Sequence, residues 1–236
     1  MAVIDKLSLP QNLTGLAYTS IKRYILEGDL DEDARLTEEF LSNRLGISKS
    51  PVREALNSLH AEGLVRIEPR RGAFLRRFTA QDVKNLYDLR EELEVYAVGI
   101  AEITPALLTE LRRSIERTRE LLKTQNRIGH IEEDTHFHQT IAKASGNDEL
   151  CRVLANLHSQ IWLCRCKTYS LSSSTAAKAH SRILEALRSK DRAAAQAYMK
   201  THISHVRERL LEFVRRRDAL ASEALAQSTA TLDTPG

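Results

Sequence analysis

Eight basic residues (Arg44, Lys49, Arg53, Arg66, Arg70, Arg71, Arg76 and Arg77) lie within 44–77, against Glu54, Glu62 and Glu68. The stretch just before it is the opposite: from Glu27 to Glu39, seven acidic side chains stand against Arg35 alone. A basic run beside an acidic one suits a surface that meets a polyanion, although two solvated faces would read the same way. Within the run, Ser48, Lys49 and Ser50 precede Arg53 by one helical turn. Hydroxyls and backbone N–H groups at a helix start suit a phosphate, while Lys49 and Arg53 reach phosphates or guanine acceptors. Arg70 and Arg71 stand ahead of Gly72 in a Pro/Gly turn, placed for contact with a nucleic-acid backbone or minor groove. Each residue also has a plainer use: Ser48 as a helix cap, and Arg53 as an ion-pair partner of Glu54 or Glu62. Farther along, Cys164 and Cys166 form a C-x-C pair near Trp162. Buried helix cysteines are commoner than metal ligands at such a spacing, and with Cys151 the odd count is no disulfide framework.

The elements that must position these groups can be read from local punctuation. Residues 13–27 carry Leu13, Leu16, Ala17, Ile21, Tyr24 and Ile25 at helical spacing and stop at Gly28. Thr37 caps a short helix ending at Leu45, Gly46-Ile47 turns the chain, and Ser48 opens a third helix. Pro51 falls in the first turn, where a missing N–H does no harm, and Gly63 closes the helix. Leu64–Ile67 and Ala73–Leu75 then flank Pro69-Arg70-Arg71-Gly72 as a hairpin. The order is that of a winged helix-turn-helix.

From Thr79 onward every pattern is helical. Thr79–Asp82 caps a helix reaching about Ile103, with Val83, Leu86, Leu89, Leu93 and Ala97 on its inner side. Thr104-Pro105 starts another, and Ser145-Gly146-Asn147 ends one that begins near Ile128. Further helices fit 148–171, 175–189 and 191–217. The spacing therefore predicts a mainly α protein: a winged helix-turn-helix over 1–78, an all-helical antiparallel bundle over 79–220, and a disordered tail over 221–236. Apolar residues make up 42% of the 236 and charged residues 28%, which places the chain among ordinary globular proteins. No apolar run nears the roughly 18 residues that span a bilayer, and MAVIDKLSLP does not read as a signal peptide. A cytoplasmic protein with no membrane partner is expected.

The stretch Leu36-Thr37-Glu38, Leu41, Leu45-Gly46-Ile47-Ser48-Lys49-Ser50-Pro51-Val52-Arg53-Glu54-Ala55-Leu56, Leu59 and Glu62-Gly63-Leu64 resembles the DNA-binding signature of the GntR family. The resemblance puts Ser48, Lys49, Ser50 and Arg53 on DNA-contacting positions and Gly72 on the wing glycine. Two positions depart from it. Lys49 stands where many members have arginine, and a lysine cannot make the bidentate fork on guanine. Glu39 stands where some members use an arginine early in the preceding helix.

The helical remainder, with Asp82, Leu86-Tyr87, Arg90, Leu93-Glu94, Asp134, Phe137-His138 and Ala144-Ser145-Gly146-Asn147, resembles the FCD effector domain of the FadR subfamily. Many members of that subfamily hold a divalent metal through one aspartate and three histidines, and by resemblance these fall on Asp134, His138, His180 and His202. Asp134 and His138 are four apart, so they share a helix face. Such a donor set suits zinc first, with nickel or another first-row ion as alternatives. His60, His130, His136, His158 and His205 are assigned to surface or core. The resemblance also turns Arg90 toward the metal cavity, where it would bind a small carboxylate or hydroxy-acid effector; the plainer reading is a surface pair with Glu94. The function implied is a non-enzymatic regulator, a repressor by default, acting as a homodimer on double-stranded operator DNA. The alternatives are a metal-free regulator of an apolar effector such as an acyl-CoA, and a metal-dependent hydrolase for which no general base stands at a recognisable spacing.

Overall fold

The computed structural model describes residues 12–28, 30–31, 33–166 and 169–232, leaving aside the side chains of 166, 169–174 and 223–232. The chain divides into two units, Met1–Arg77 and Phe78–Gly236.

In the first unit, α1 (Leu13–Glu27) starts at Asn12, whose side chain accepts from the Gly15 amide at 2.8 Å. Helix α2 (Glu38–Leu45) starts at Thr37, whose hydroxyl accepts from the Phe40 amide at 3.1 Å, and ends at Gly46 with φ +68°. A left-handed residue here costs a glycine nothing, and it lets α3 (Lys49–Ala61) start two residues later at a new angle. Val52, Ala55, Leu56 and Leu59 form the buried side of α3, as expected from their spacing. The hairpin is β2 (Val65–Glu68) and β3 (Gly72–Leu75), antiparallel in the register Val65 to Leu75 and Glu68 to Gly72. One element is unforeseen by the sequence reading. A two-residue strand β1 (Arg35–Leu36) pairs with the outer edge of β3, giving the sheet order β1-β3-β2.

The second unit holds α4 (Ala80–Ile100), α5 (Pro105–Lys123), α6 (Arg127–Ala144), α7 (Asp148–Cys166), α8 (Tyr169–Arg188) and α9 (Arg192–Leu232). Thr79 and Asp82 close a reciprocal capping box, and Thr104 caps α5 with Pro105 at its first position. Helix α4 packs on α9, α7 and α6; α8 packs on α9 and α5; and α5 and α7 both pack on α6. Phe137, Ile131, Ile141, Leu154, Ile183 and Met199 fill the space between them, all fully buried.

Two expectations change here. Helix α9 continues to Leu232, through most of the segment read as a disordered tail, while 233–236 lie outside the described residues. Ala221, Ala224, Leu225, Ala226, Ala230 and Leu232 are good helix formers, which favour extension of a helix already formed. Helix α4 is also turned from the apolar reading. Val83 and Ala97 are buried, but Leu89 is 47% exposed and Leu86 and Leu93 are half-buried. Its inner stripe is Tyr87, Arg90, Glu91, Glu94 and Val98 instead. No helix among the described residues is long and apolar enough to cross a membrane.

Candidate functional site

In the first unit, Ser48, Lys49, Ser50 and Arg53 are all exposed at the start of α3. Ser48 occupies the cap position with extended backbone, yet its hydroxyl makes no capping hydrogen bond. The first-turn amides keep the free donors common to helix starts. Arg53 pairs with neither Glu54 nor Glu62. It forks onto Glu38, Nε to Oε1 and Nη2 to Oε2, both at 2.7 Å. That fork holds the Glu38 carboxyl below its usual range. Glu54 instead accepts from Thr14, and Glu62 from Lys22 and Tyr18, so both fasten α3 to α1.

The wing presents Arg70, Arg71 and Gly72, all exposed. Arg70 has φ +65° and Gly72 φ +100°, so the turn strains a side-chain-bearing residue in order to point it outward. Arg71 is tied back to Glu68 at 2.5 Å, leaving Arg70 as the projecting cation. A groove of about 360 Å³ runs between α3 and the wing, lined by Arg35, Arg53, Asn57, Arg70 and Arg71, with Glu38 on its wall. Arg35 is the member that sequence reading passed over. It sits in the acidic stretch, and the two-residue strand that turns it to the groove has no local signature.

In the second unit, Asp134 and His138 from α6, His180 from α8 and His202 from α9 converge. All four are buried, and one donor atom from each lies within 4.8 Å of all the others. The Nε2 atoms of His138 and His180 each lie 3.3 Å from Nε2 of His202, and His180 Nε2 is 3.5 Å from Asp134 Oδ1. Phe137 stacks flat on the His180 ring at 3.9 Å and fixes its plane.

These separations fit a shared cation. Two nitrogens each about 2.0–2.1 Å from one ion stand about 2.9 Å apart at right angles and about 3.4 Å apart in a tetrahedron. They fit internal hydrogen bonding poorly. His138 Nδ1 lies against Glu94 Oε2, and its Nε2 faces His202. Burial, reinforced by His202, pushes His180 well below the usual imidazole range. Burial together with His138 pushes His202 down to about 3. Burial acts to raise Asp134, but Arg165 and then His138 outweigh it and keep the carboxyl well below its ordinary value. Neutral imidazoles and an ionised carboxylate are the states that ligate a divalent ion.

Around the cluster stands a ring of polar side chains that the sequence reading mostly assigned elsewhere. Arg90 and Glu94 are each 2% exposed, so theirs is a buried pair rather than the surface pair considered above. Glu94 Oε1 accepts from Arg90 Nε at 2.7 Å and lies 2.9 Å from His158 Nε2. Arg165, also buried, pairs with Asp134 Oδ2. The outer carboxylate on a histidine and the arginine on an aspartate are arrangements that orient first ligands. A signal for Glu94 was present: Tyr87, Arg90, Glu91 and Glu94 repeat at helical spacing just as an apolar stripe would. Arg165, lone among Ile161, Trp162, Leu163 and Cys164, was another.

The remaining candidates disperse. His136 lies 3.0 Å from Glu110 on the surface, His60 holds the Val65 carbonyl at 2.9 Å, and His205 is exposed. His130 is buried, as assigned. Cys164 is buried, and the side chain of Cys166 lies outside the described residues.

Residues 13–75 match the model of the bacterial regulatory proteins of the gntR family, and residues 85–205 match the FCD domain. An uncharacterised HTH-type transcriptional regulator of Bacillus subtilis (strain 168), YdhC, is 30% identical over 204 residues, covering 82% of this chain and 88% of its own. The HTH-type transcriptional repressor RspR of Escherichia coli (strain K12) is 24% identical over 212 residues, covering 88% and 93%. Among solved structures, E. coli McbR/YncC superposes with a TM-score of 0.74 at 22% identity, over 88% of this chain and 99% of that one, a likeness of fold.

Proposed function

The chain belongs to the gntR family of bacterial regulatory proteins, in its FCD-bearing form, and on that premise we propose that it is a repressor released from its operator by a small carboxylate or hydroxy-acid bound at a metal centre. It is a transcriptional regulator rather than an enzyme. The observation that carries the finer reading is the convergence of Asp134, His138, His180 and His202 within 4.8 Å in the interior of the second unit.

In this reading Ser48, Lys49, Ser50 and Arg53 enter the major groove, and Arg70, Arg71 and Gly72 follow the backbone beside it. Two chains related by a two-fold axis read two half-sites of a pseudo-palindrome. Asp134, His138, His180 and His202 hold the ion, zinc first and nickel or another first-row ion otherwise. When bound, that ion supplies a fixed positive charge with coordination positions open to an acid. Arg90, held in plane by Glu94, turns its guanidinium to the carboxylate. The acid regulates only by binding the DNA-competent and released arrangements with different affinity.

The test uses the full chain. DNA selected from a random pool yields a pseudo-palindrome, the purified protein carries one divalent ion per chain, and His180→Ala loses the ion while keeping the selected DNA. Selection of no sequence sinks the operator reading. Full retention of the ion by His180→Ala sinks the metal reading.

A further inference from the structure

Among the buried polar atoms beside the Asp/His cluster that have no hydrogen-bond partner within the described residues are two neighbouring groups on α4 that can donate, the Tyr87 hydroxyl and Arg90 Nη1. Both residues are at most 2% exposed, they sit three apart on α4, and the Arg90 guanidinium carbon lies 5.6 Å from the Tyr87 ring centre. A buried donor left without an acceptor is costly and rare in native proteins, so two side by side point to an acceptor supplied from outside the chain. Both groups can donate, so the missing partner is an oxygen-rich, negatively charged one.

The charge of the site says how negative. Its buried cations are Arg90 and Arg165, and its buried anions are Glu94 and Asp134, each cation contacting one anion. Among the described residues the remaining buried charge is Glu91, which answers Lys200 and Arg207 on α9. Among the described residues these two buried cations and two buried anions therefore cancel. A divalent ion added to this interior leaves two positive charges in excess, and buried charge is tolerated only when matched. A monocarboxylate leaves one of them unanswered.

We infer that the effector is a short dicarboxylate, bound with both carboxylates ionised, and that Tyr87 is a specificity residue that donates its hydroxyl to one of them. The inference rests on the metal reading above and narrows its acid to one charge class. Arg90 Nη1 is the neighbouring donor, while Arg90 Nε stays on Glu94. Arg165 keeps Asp134 Oδ2, which leaves Asp134 Oδ1 toward the histidines.

The test is calorimetric titration of the zinc-loaded full chain, its metal content measured beforehand. The probes are malonate, succinate and glutarate, each against its own monomethyl ester, with lactate beside them. At least one diacid binds about tenfold or more tighter than its ester of nearly equal size, and Tyr87→Phe weakens that diacid by about tenfold or more, the scale of one hydrogen bond to a charged group. Tyr87→Phe keeps the zinc content and the unliganded unfolding midpoint, which separates a lost contact from a lost fold. Should Tyr87→Phe prove unstable, the diacid–ester comparison decides on the unaltered protein. Equal affinity for diacid and ester, or tighter binding of lactate, overturns the dicarboxylate inference and leaves the metal reading standing. Tight diacid binding by zinc-free protein overturns the charge argument itself. A chain that takes up no zinc and binds none of these acids overturns both.

Discussion

Glu94 joins more of the second unit's interior than any one member of the Asp/His cluster does, and its removal gives the sharpest measurement. Its carboxylate accepts from Arg90, lies against His158 and holds His138 by Nδ1, with all four groups buried. Glu94→Ala leaves the Arg90 cation in the interior beside an empty space, the situation that typically costs about 3–5 kcal/mol. On the surface, the same i,i+4 pair would contribute only about 0.3–0.5 kcal/mol. The two cases are therefore separated by roughly tenfold in energy. For a unit of this size the buried case lowers the unfolding midpoint by roughly 6–20 °C, and the surface case by a degree or two. Urea unfolding of metal-free protein, followed on the helical signal, reads the difference directly. The double variant Arg90→Met/Glu94→Leu should recover much of the loss, because a buried pair replaced by apolar groups leaves no charge unmatched. Glu94→Gln keeps the shape and removes the charge, so its main effect falls on His138, with metal affinity down about 10–100-fold in a chelator-buffered titration. A loss below about 1 kcal/mol for Glu94→Ala, with unchanged metal affinity for Glu94→Gln, would refute the claim that this carboxylate organises the centre.

Other consequences can be checked on the same protein. His130, His158, His180 and His202 all have lowered imidazole values, burial being the first cause in each. The unfolded chain takes up protons near pH 6.5 and the folded chain does not, so metal-free stability is full above about pH 6.5 and declines as pH falls below it. A flat unfolding free energy from pH 7.5 to 5 would contradict this. In the DNA-binding unit, Arg53→Ala should weaken operator binding about tenfold or more if Arg53 reads a base, and reduce the salt slope by about one if it holds a phosphate. Glu38→Ala frees that same guanidinium from its fork and should strengthen binding, measured by fluorescence anisotropy at fixed salt. An Arg53→Ala protein with wild-type affinity would remove Arg53 from the interface. Gly72→Val forces a branched side chain to φ +100°, at a cost of about 1–3 kcal/mol or a reshaped wing. Unaltered stability together with unaltered DNA affinity would show that the turn tolerates another conformation.

What sequence reading reached and what it missed follow from the range over which each feature is determined. The first unit was legible because its punctuation is local: Thr37 caps within three residues, Gly46 turns at φ +68°, and Pro51 and Gly63 bracket α3. Strand β1 was not, since Arg35-Leu36 has no period of its own and is a strand only because β3 offers an edge. In the second unit the helix starts at Thr79 and Thr104 were equally plain. The inner face of α4 was not. Apolar spacing favours Leu86, Leu89 and Leu93, and that rule holds wherever a buried charge would be unmatched. Here the match comes from far along the chain: His138 and His158 reach Glu94 from α6 and α7, and Arg90 has Glu94 one turn away. With those partners in place, turning Arg90 and Glu94 inward satisfies every formal charge, and Leu89 can face solvent. The rotation of α4 and the Asp/His cluster are thus one structural fact. The polar stripe is stable inside the bundle because the histidines stand opposite it, and the histidines are held because the stripe supplies their carboxylate. The effector unit should accordingly lose its metal affinity and its helix packing together, whichever side of that contact is altered.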